Sequence, residues 1–334
     1  MSDPDPQALG TWLSDRLGGA GVPRLTRIGG GQSNPTWGVN WDGRALVLRK
    51  KPTGPILPGA HAVEREFRVL RALEGTQVPV PRALALEEDT GVLGRPFYVM
   101  ERLEGRVFAE AAMPELGAED RRACLLAAFE TLAVLHGLDP EALGLGDFGR
   151  PGGYFARQFA RWRRAYAESP GPRIAELDRL IGWLEGHLPE DDGRVAVVHG
   201  DYRIGNLMFH PTEPRVIAVL DWELSTLGHP LADLGFCLIP WHSAPEEYGG
   251  LVGLDHAALG IPTPAECLAR YTAHARPGPP LTPAHIAFAL FRFAVIFVGI
   301  RDRARAGSAA SPEAARLAPL ARGFAARGLE VAGV

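Results

Sequence analysis

Residues 198–206 read V-H-G-D-Y-R-I-G-N and continue an apolar stretch, R-V-A-V-V, over 194–198. A buried strand does not end in a histidine, an aspartate, an arginine and an asparagine without cause. Each polar group left unsatisfied there costs free energy. The cluster therefore either holds the structure together or does chemistry, and the residues that follow favour chemistry.

From Asn206 to Asp221 the chain reads N-L-M-F-H-P-T-E-P-R-V-I-A-V-L-D. The centre, H-P-T-E-P-R, is a turn sequence bounded by prolines. The flanks, L-M-F and V-I-A-V-L, are strand-like. Pairing them across the turn puts Leu207 opposite Leu220 and brings Asn206 beside Asp221. An amide and a carboxylate so placed suit Mg²⁺, which prefers hard oxygen ligands and takes few of them from protein. Asp201, five residues before Asn206, can face the same space and accept the proton of an attacking hydroxyl. Base, metal amide and metal carboxylate are the working parts of phosphoryl transfer. His199 is expected to fix the loop.

The whole chain has 334 residues, beyond the roughly 250–300 at which a single core stops growing, so two domains are expected. Lys plus Arg number 35 and Asp plus Glu 39, a net charge of -4 that gives no support to nucleic acid as a partner. Cys124, Cys237 and Cys267 form no C-x-x-C pair, so neither a zinc site nor a disulfide framework is expected, and a reducing compartment fits. The start, M-S-D-P-D-P-Q, carries no signal-peptide features, and a cytoplasmic protein is expected. Ile286 to Ile300 is a 15-residue apolar run interrupted by Arg292. A membrane span needs about 20 such residues, so this run reads as a core helix opened by Thr282 and Pro283, with no membrane partner.

Periodicity predicts helices over 7–17 and 61–73 and strands over 44–49, near V-P-V-P (78–81) and over 96–103. Past Gly105 the pattern turns helical, with helices over 119–136 and 153–168, and only helix after about residue 256. The expected parts are therefore 1–103, small and α+β, and 104–334, mostly helical.

H-G-D-Y-R-I-G-N, V-L-D-W-E and G-H-P-L-A-D-L together resemble the aminoglycoside phosphotransferase superfamily, which includes choline and homoserine kinases. The stretches L-V-L-R-K-K-P, A-V-E-R-E-F-R-V-L and P-F-Y-V-M-E-R-L-E-G-R-V-F are most similar to the subgroup of phosphotransferase domains fused to acyl-CoA dehydrogenases. The resemblance implies a bilobal, protein-kinase-like α+β fold. Its N-lobe, 1–103, has a small antiparallel sheet and binds ATP; its mainly helical C-lobe, 104–334, carries catalysis and substrate. It implies Asp201 as catalytic base and Asn206 and Asp221 as Mg²⁺ ligands, with His199 and Asp233 ordering the loop. Gly30, Gly31, Gln32, Ser33 and Asn34, after Gly29, match the loop over the phosphates. Met100, Glu101 and Leu103 match the linker that meets the purine edge. Glu66 matches the glutamate that pairs with a strand lysine.

The strand departs from that pattern. Alternation in L-V-L-R puts Arg49, not a lysine, at that strand position, with Lys50 facing the other way. Arginine is always charged and pairs bidentately, so it can take the role. The departure also admits an alternative, a non-catalytic nucleotide- or ligand-binding pseudokinase. Arg203 sits where protein kinases place a lysine reaching the transferred phosphoryl, and is expected to be catalytic by stabilising charge on the γ-phosphate; a surface ion pair is its plainer reading. Arg150, Arg157, Arg161, Arg163 and Arg164 make either a solvated helix face or a surface for an anionic substrate. Only eleven residues separate Asp221 from Asp233, with no A-P-E after them, which leaves little room for a peptide platform. The expected acceptor is a small molecule bearing a hydroxyl, anionic or hydroxyacyl in character.

Overall fold

The computed structural model describes residues 3–29, 34–52, 61–305, 317 and 319–334. The chain divides into two compact units: Met1–Gly105 with Ile217–Ser225, and Arg106–Val216 with Thr226–Val334. The segment around Asp221, expected with the C-terminal part, thus belongs with the N-terminal one. The Val219 N–H donates to the Pro79 carbonyl at 2.8 Å, which ties the segment there.

The first unit begins with helix α1 (Pro6–Leu17), capped by the Asp5 carboxylate on the Gln7 N–H. Strands β1 (Arg24–Ile28), β2 (Thr36–Trp41) and β3 (Arg44–Lys50) follow, then α2 (Val63–Leu73), β4 (Ala83–Glu87), the short α3 (Thr90–Leu93) and β5 (Phe97–Glu101). The strands form one antiparallel sheet in the order β1-β2-β3-β5-β4. Helix α1 buries Leu9, Trp12 and Leu13, spaced for one helical face, among Trp37, Val39, Leu48, Phe97 and Val99. The strand expected over 78–81 starts instead at Ala83, because Pro79 and Pro81 have no N–H to give a ladder. Strands β1 and β2 escape the periodicity reading; β1 is exposed on nearly every residue and shows no apolar alternation.

The second unit contains β6 (Arg106–Val107), α4 (Ala118–Gly137), α5 (Tyr154–Ala167), α6 (Ala175–His187), β7 (Ala196–Val198) and β8 (Leu207–Phe209). Strand β9 (Val216–Val219) carries the chain from this unit into the first, and the chain returns with β10 (Thr226–Gly228). Helices α7 (Pro230–Cys237), α8 (His256–Leu259), α9 (Pro264–Thr272), α10 (Pro283–Arg305) and α11 (Leu320–Ala332) complete it. Strand β7 pairs with β10, Val198 opposite Thr226. The turn after β8 closes with the His210 N–H on the Arg215 carbonyl at 2.9 Å.

Helix α10 has 23 residues, longer than the apolar run that announces it. By length and composition it could cross a membrane, yet 67% of its apolar window is buried within the protein. It packs Phe288, Phe291, Phe293 and Phe297 against Phe155, Phe159, Leu177, Leu180 and Phe324, the core of the second unit. In the C-terminal segment expected to be one helix, 306–316 and 318 lie outside the described residues.

Candidate active site

In the second unit the strand-end loop is built as a set of satisfied turns. Strand β7 is fully buried, and Gly200, just beyond it, has φ +84, a conformation that glycine adopts without steric cost. The N–H groups of His199 and Gly200 both donate to the Asp233 carboxylate, at 2.6 and 2.9 Å. Asp233 is 1% exposed at the start of α7. Burial pushes its carboxyl upward, but His136, His199 and the Gly200 N–H hold it below the ordinary aspartate value. His136 bonds Asp233 through Nε2 at 3.4 Å and Tyr271 through Nδ1 at 2.8 Å. The Gly200 carbonyl accepts from the buried Arg292 guanidinium of α10. The arginine that interrupts the apolar run thus anchors this loop, a role that sequence reasoning missed.

Asp201 therefore leaves a rigid base. Its N–H donates to His199 Nδ1 at 3.2 Å. Asn206 Nδ2 donates to both the Asp201 carbonyl and Asp201 Oδ2, each at 2.8 Å. That leaves Asn206 Oδ1 as the acceptor end of the amide. Arg203 Nε lies 3.5 Å from Asp201 Oδ2. Asp201, Arg203, Asn206, His199 and Asp233 are thus gathered in one cluster. An apolar pocket in the same unit is lined by Ala111, Leu125, Phe129, Trp241, Phe293 and Phe324, with Arg203 and Tyr248 among its other walls. These residues span 109–324 with no shared spacing, so no sequence pattern announces them.

In the first unit a second cluster forms. Arg49 Nε lies 2.9 Å from Glu66 Oε2, and Arg49 Nη2 donates to Asp221 Oδ1 at 2.9 Å. Glu66, 1% exposed on α2, also accepts the Tyr98 hydroxyl at 3.0 Å and the Asn34 amide. Burial pushes the Glu66 carboxyl up, and the Arg49 guanidinium pulls against it. Burial alone would weaken Arg49 as a base; Glu66, Tyr98 and Asp221 more than offset it and hold the guanidinium charged. Lys50 is buried on the other side of β3, as alternation requires. Tyr98 is a further member that sequence reasoning did not single out, although β5 places it opposite Arg49.

Asp221 has φ +63, a left-handed backbone for a non-glycine residue. Such positions persist only where the surroundings over-determine them, and they concentrate at functional sites. Met100 and Glu101 close β5, and the Glu101 N–H is taken by the Arg82 carbonyl at 3.0 Å. The Arg102 N–H is taken by Ala45 at 3.1 Å, and Leu103 is the residue beyond. Gly30, Gly31, Gln32 and Ser33 lie outside the described residues; Asn34, next in sequence, is 4% exposed.

A small antiparallel-sheet unit and a mostly helical unit, each with its own charged cluster, define a kinase-like α+β protein. Residues 24–273 match the phosphotransferase enzyme family (APH), and the chain belongs to that family. It is 44% identical to a candidate aminoglycoside phosphotransferase from Ralstonia eutropha, with a TM-score of 0.89 over 99% of both chains. It is 40% identical over 317 residues to acyl-CoA dehydrogenase family member 11 of Gallus gallus, a match that covers 93% of this chain and 41% of that protein. The chain therefore corresponds to under half the length of this relative. The GDP complex of aminoglycoside 2'-phosphotransferase-IIIa shares the fold, with 14% identity and a TM-score of 0.65 over 96% of this chain and 99% of that one.

Proposed function

We propose that this chain transfers the γ-phosphate of ATP to a hydroxyl of a small molecule, with Mg²⁺ as cofactor. The observation that carries the reading is Asp201, a carboxylate at the end of a buried strand, oriented by Asn206 on a loop pinned by Asp233. A base held so is oriented before the acceptor arrives, and positioned proton acceptors contribute about 10²–10⁴-fold to rate.

The donor chemistry suits magnesium. Asn206 spends its amide nitrogen on Asp201 and keeps an oxygen, and Asp221 is a carboxylate with one oxygen on Arg49. These are the hard oxygen donors Mg²⁺ takes. When bound, the ion would neutralise phosphate charge. Arg49, held by Glu66, would supply a fixed positive charge to the nucleotide in place of the family lysine, and Asn34, following Gly30–Ser33, would serve the phosphate loop. Met100, Glu101 and Leu103 would border the base. For the acceptor, the apolar pocket beside the Asp201 loop supports a molecule with an apolar body, such as a hydroxyacyl compound, over a polycationic sugar.

The test is ADP release over a panel of alcohols, hydroxyacyl thioesters and aminoglycosides, with Asp201→Asn alongside. The variant should lose on the order of 10²–10⁴ in kcat while still binding nucleotide. A variant with full turnover overturns the assignment of the base. A second reading, nucleotide binding without turnover, draws on the Arg49–Asp221 contact, in which a guanidinium already holds an oxygen of the proposed metal ligand. No ADP release with any acceptor, together with ATP binding that ignores magnesium, would favour it.

A further inference from the structure

Tyr248 has φ +71, a strained conformation for an aromatic residue, and its ring is held there. It makes edge contacts with Phe293 and Phe297 of α10, at 5.4 and 5.3 Å between centroids. Its neighbour Glu247 is tied to Arg327 of α11 at 3.0 Å and accepts the Ala244 N–H at 2.9 Å. The loop is thus latched to the C-terminal helix, and Tyr248 is fixed at the wall of the apolar pocket.

The Tyr248 ring faces Arg203, whose guanidinium carbon lies 5.8 Å from the ring centroid. Nε of the same side chain is turned toward Asp201. On the remaining side is Gly205, where a methyl group would overlap the guanidinium. Gly205 has no left-handed backbone to accommodate, so the space itself is what the glycine provides. Arg203 thus sits in a seat formed by Gly205, Tyr248 and Asp201.

The seat opens on the pocket. Several other polar groups in the lining are already engaged: the Tyr202 hydroxyl with Ala128, the Cys237 thiol with Tyr202, the Ser243 hydroxyl with Ile239, and Glu247 with Arg327. Among the described lining residues Arg203 is the cation, and it has more donors than its Asp201 contact uses.

We propose that Arg203 is a specificity-determining residue for the acceptor: it receives a negative charge on a molecule whose apolar chain fills the pocket. Gly205 and Tyr248 are positioning residues that hold the guanidinium in place. This rests on the phosphotransferase reading only in calling the bound molecule the acceptor. A guanidinium is charged at every working pH and binds carboxylate with fixed geometry, so it separates an anion from a neutral molecule of the same length.

The test is isothermal titration of the full chain with octanoate and with 1-octanol, without ATP. Wild type should bind octanoate on the order of tenfold to a hundredfold more tightly, the scale of one charge-assisted hydrogen bond. Arg203→Gln and Gly205→Ala should both bring the ratio to near one while leaving octanol affinity in place, and Arg203→Lys should keep part of the preference. Thermal melts of each variant identify any loss of fold. Equal affinities in wild type, absence of saturable octanoate binding, or a preference surviving in both Arg203→Gln and Gly205→Ala overturns the proposal. So does a fall in ATP affinity of Arg203→Gln with the octanoate preference intact, which would assign the guanidinium to the nucleotide. Because no turnover is read, failure of the phosphotransferase reading leaves this result standing, and the reverse also holds.

Discussion

Arg49 Nη2 and Asp221 Oδ1 lie 2.9 Å apart although 172 positions separate them in sequence. The same guanidinium reaches Glu66 through Nε, so one side chain spans two carboxylates. Lysine has a single nitrogen and cannot give each carboxylate its own, as the fixed fork of the guanidinium does here.

Arg49→Met leaves Glu66 buried without its cation, and breaking such a pair costs about 3–5 kcal/mol. Urea unfolding should show that loss; Arg49→Lys should fall between wild type and Arg49→Met. A methionine variant as stable as wild type would mean that the cluster contributes nothing to the fold.

Asp233→Asn replaces one of the two acceptor oxygens for His199 and Gly200 with an amide that cannot accept. A buried N–H left without its partner costs about 1–3 kcal/mol, more when the lost acceptor is charged. We expect stability to fall by about 2–4 kcal/mol, with turnover falling as well because the Asp201 loop loses its anchor. Unchanged denaturation midpoint and rate would remove the anchoring role.

Metal dependence separates the two readings of the proposed nucleotide site. ATP with magnesium should raise the melting temperature of wild type well above ATP with chelator. Saturation at about 100 times Kd adds about 2.7 kcal/mol to a native state that alone binds the ligand. Asn206→Ala and Asp221→Ala should lose the metal-dependent part. Equal shifts with and without magnesium would remove both residues as ligands.

His285, 6% exposed, lies among Phe155, His229 and Thr282. Burial, with His229 and Arg194 nearby and Asp192 opposing, lowers its pKa from 6.5 to about 4. Between those values the unfolded chain takes up a proton that the native state refuses. This contribution is therefore fully present above about pH 6.5 and is lost as pH falls toward 4, up to about 3 kcal/mol. Urea midpoints from pH 7 to 4.5 should show the decline, and His285→Gln should flatten it. The same slope in the variant would assign the acid sensitivity elsewhere.

Part of the candidate site was legible along the chain because it is local. H-G-D-Y-R-I-G-N keeps Asp201 and Asn206 on one short turn, and strand alternation alone sends Arg49 and Lys50 to opposite sides of β3. Helix α1 was readable from Leu9, Trp12 and Leu13, and α10 from its apolar run. Strand β1 was not, because an exposed edge strand has no buried face to pattern.

By itself, then, the sequence determined the order of the chemical groups, the sheet-then-helices layout and the family. These follow from periodicities and turn residues acting over a few positions. Tertiary structure alone decided that Arg49, besides pairing with Glu66, reaches Asp221, that Arg292 anchors the Gly200 carbonyl, and that residues from Ala109 to Phe324 wall one pocket around the Arg203 seat. Those contacts join positions far apart in the chain, and their geometry is set by how apolar faces pack, which no local spacing records.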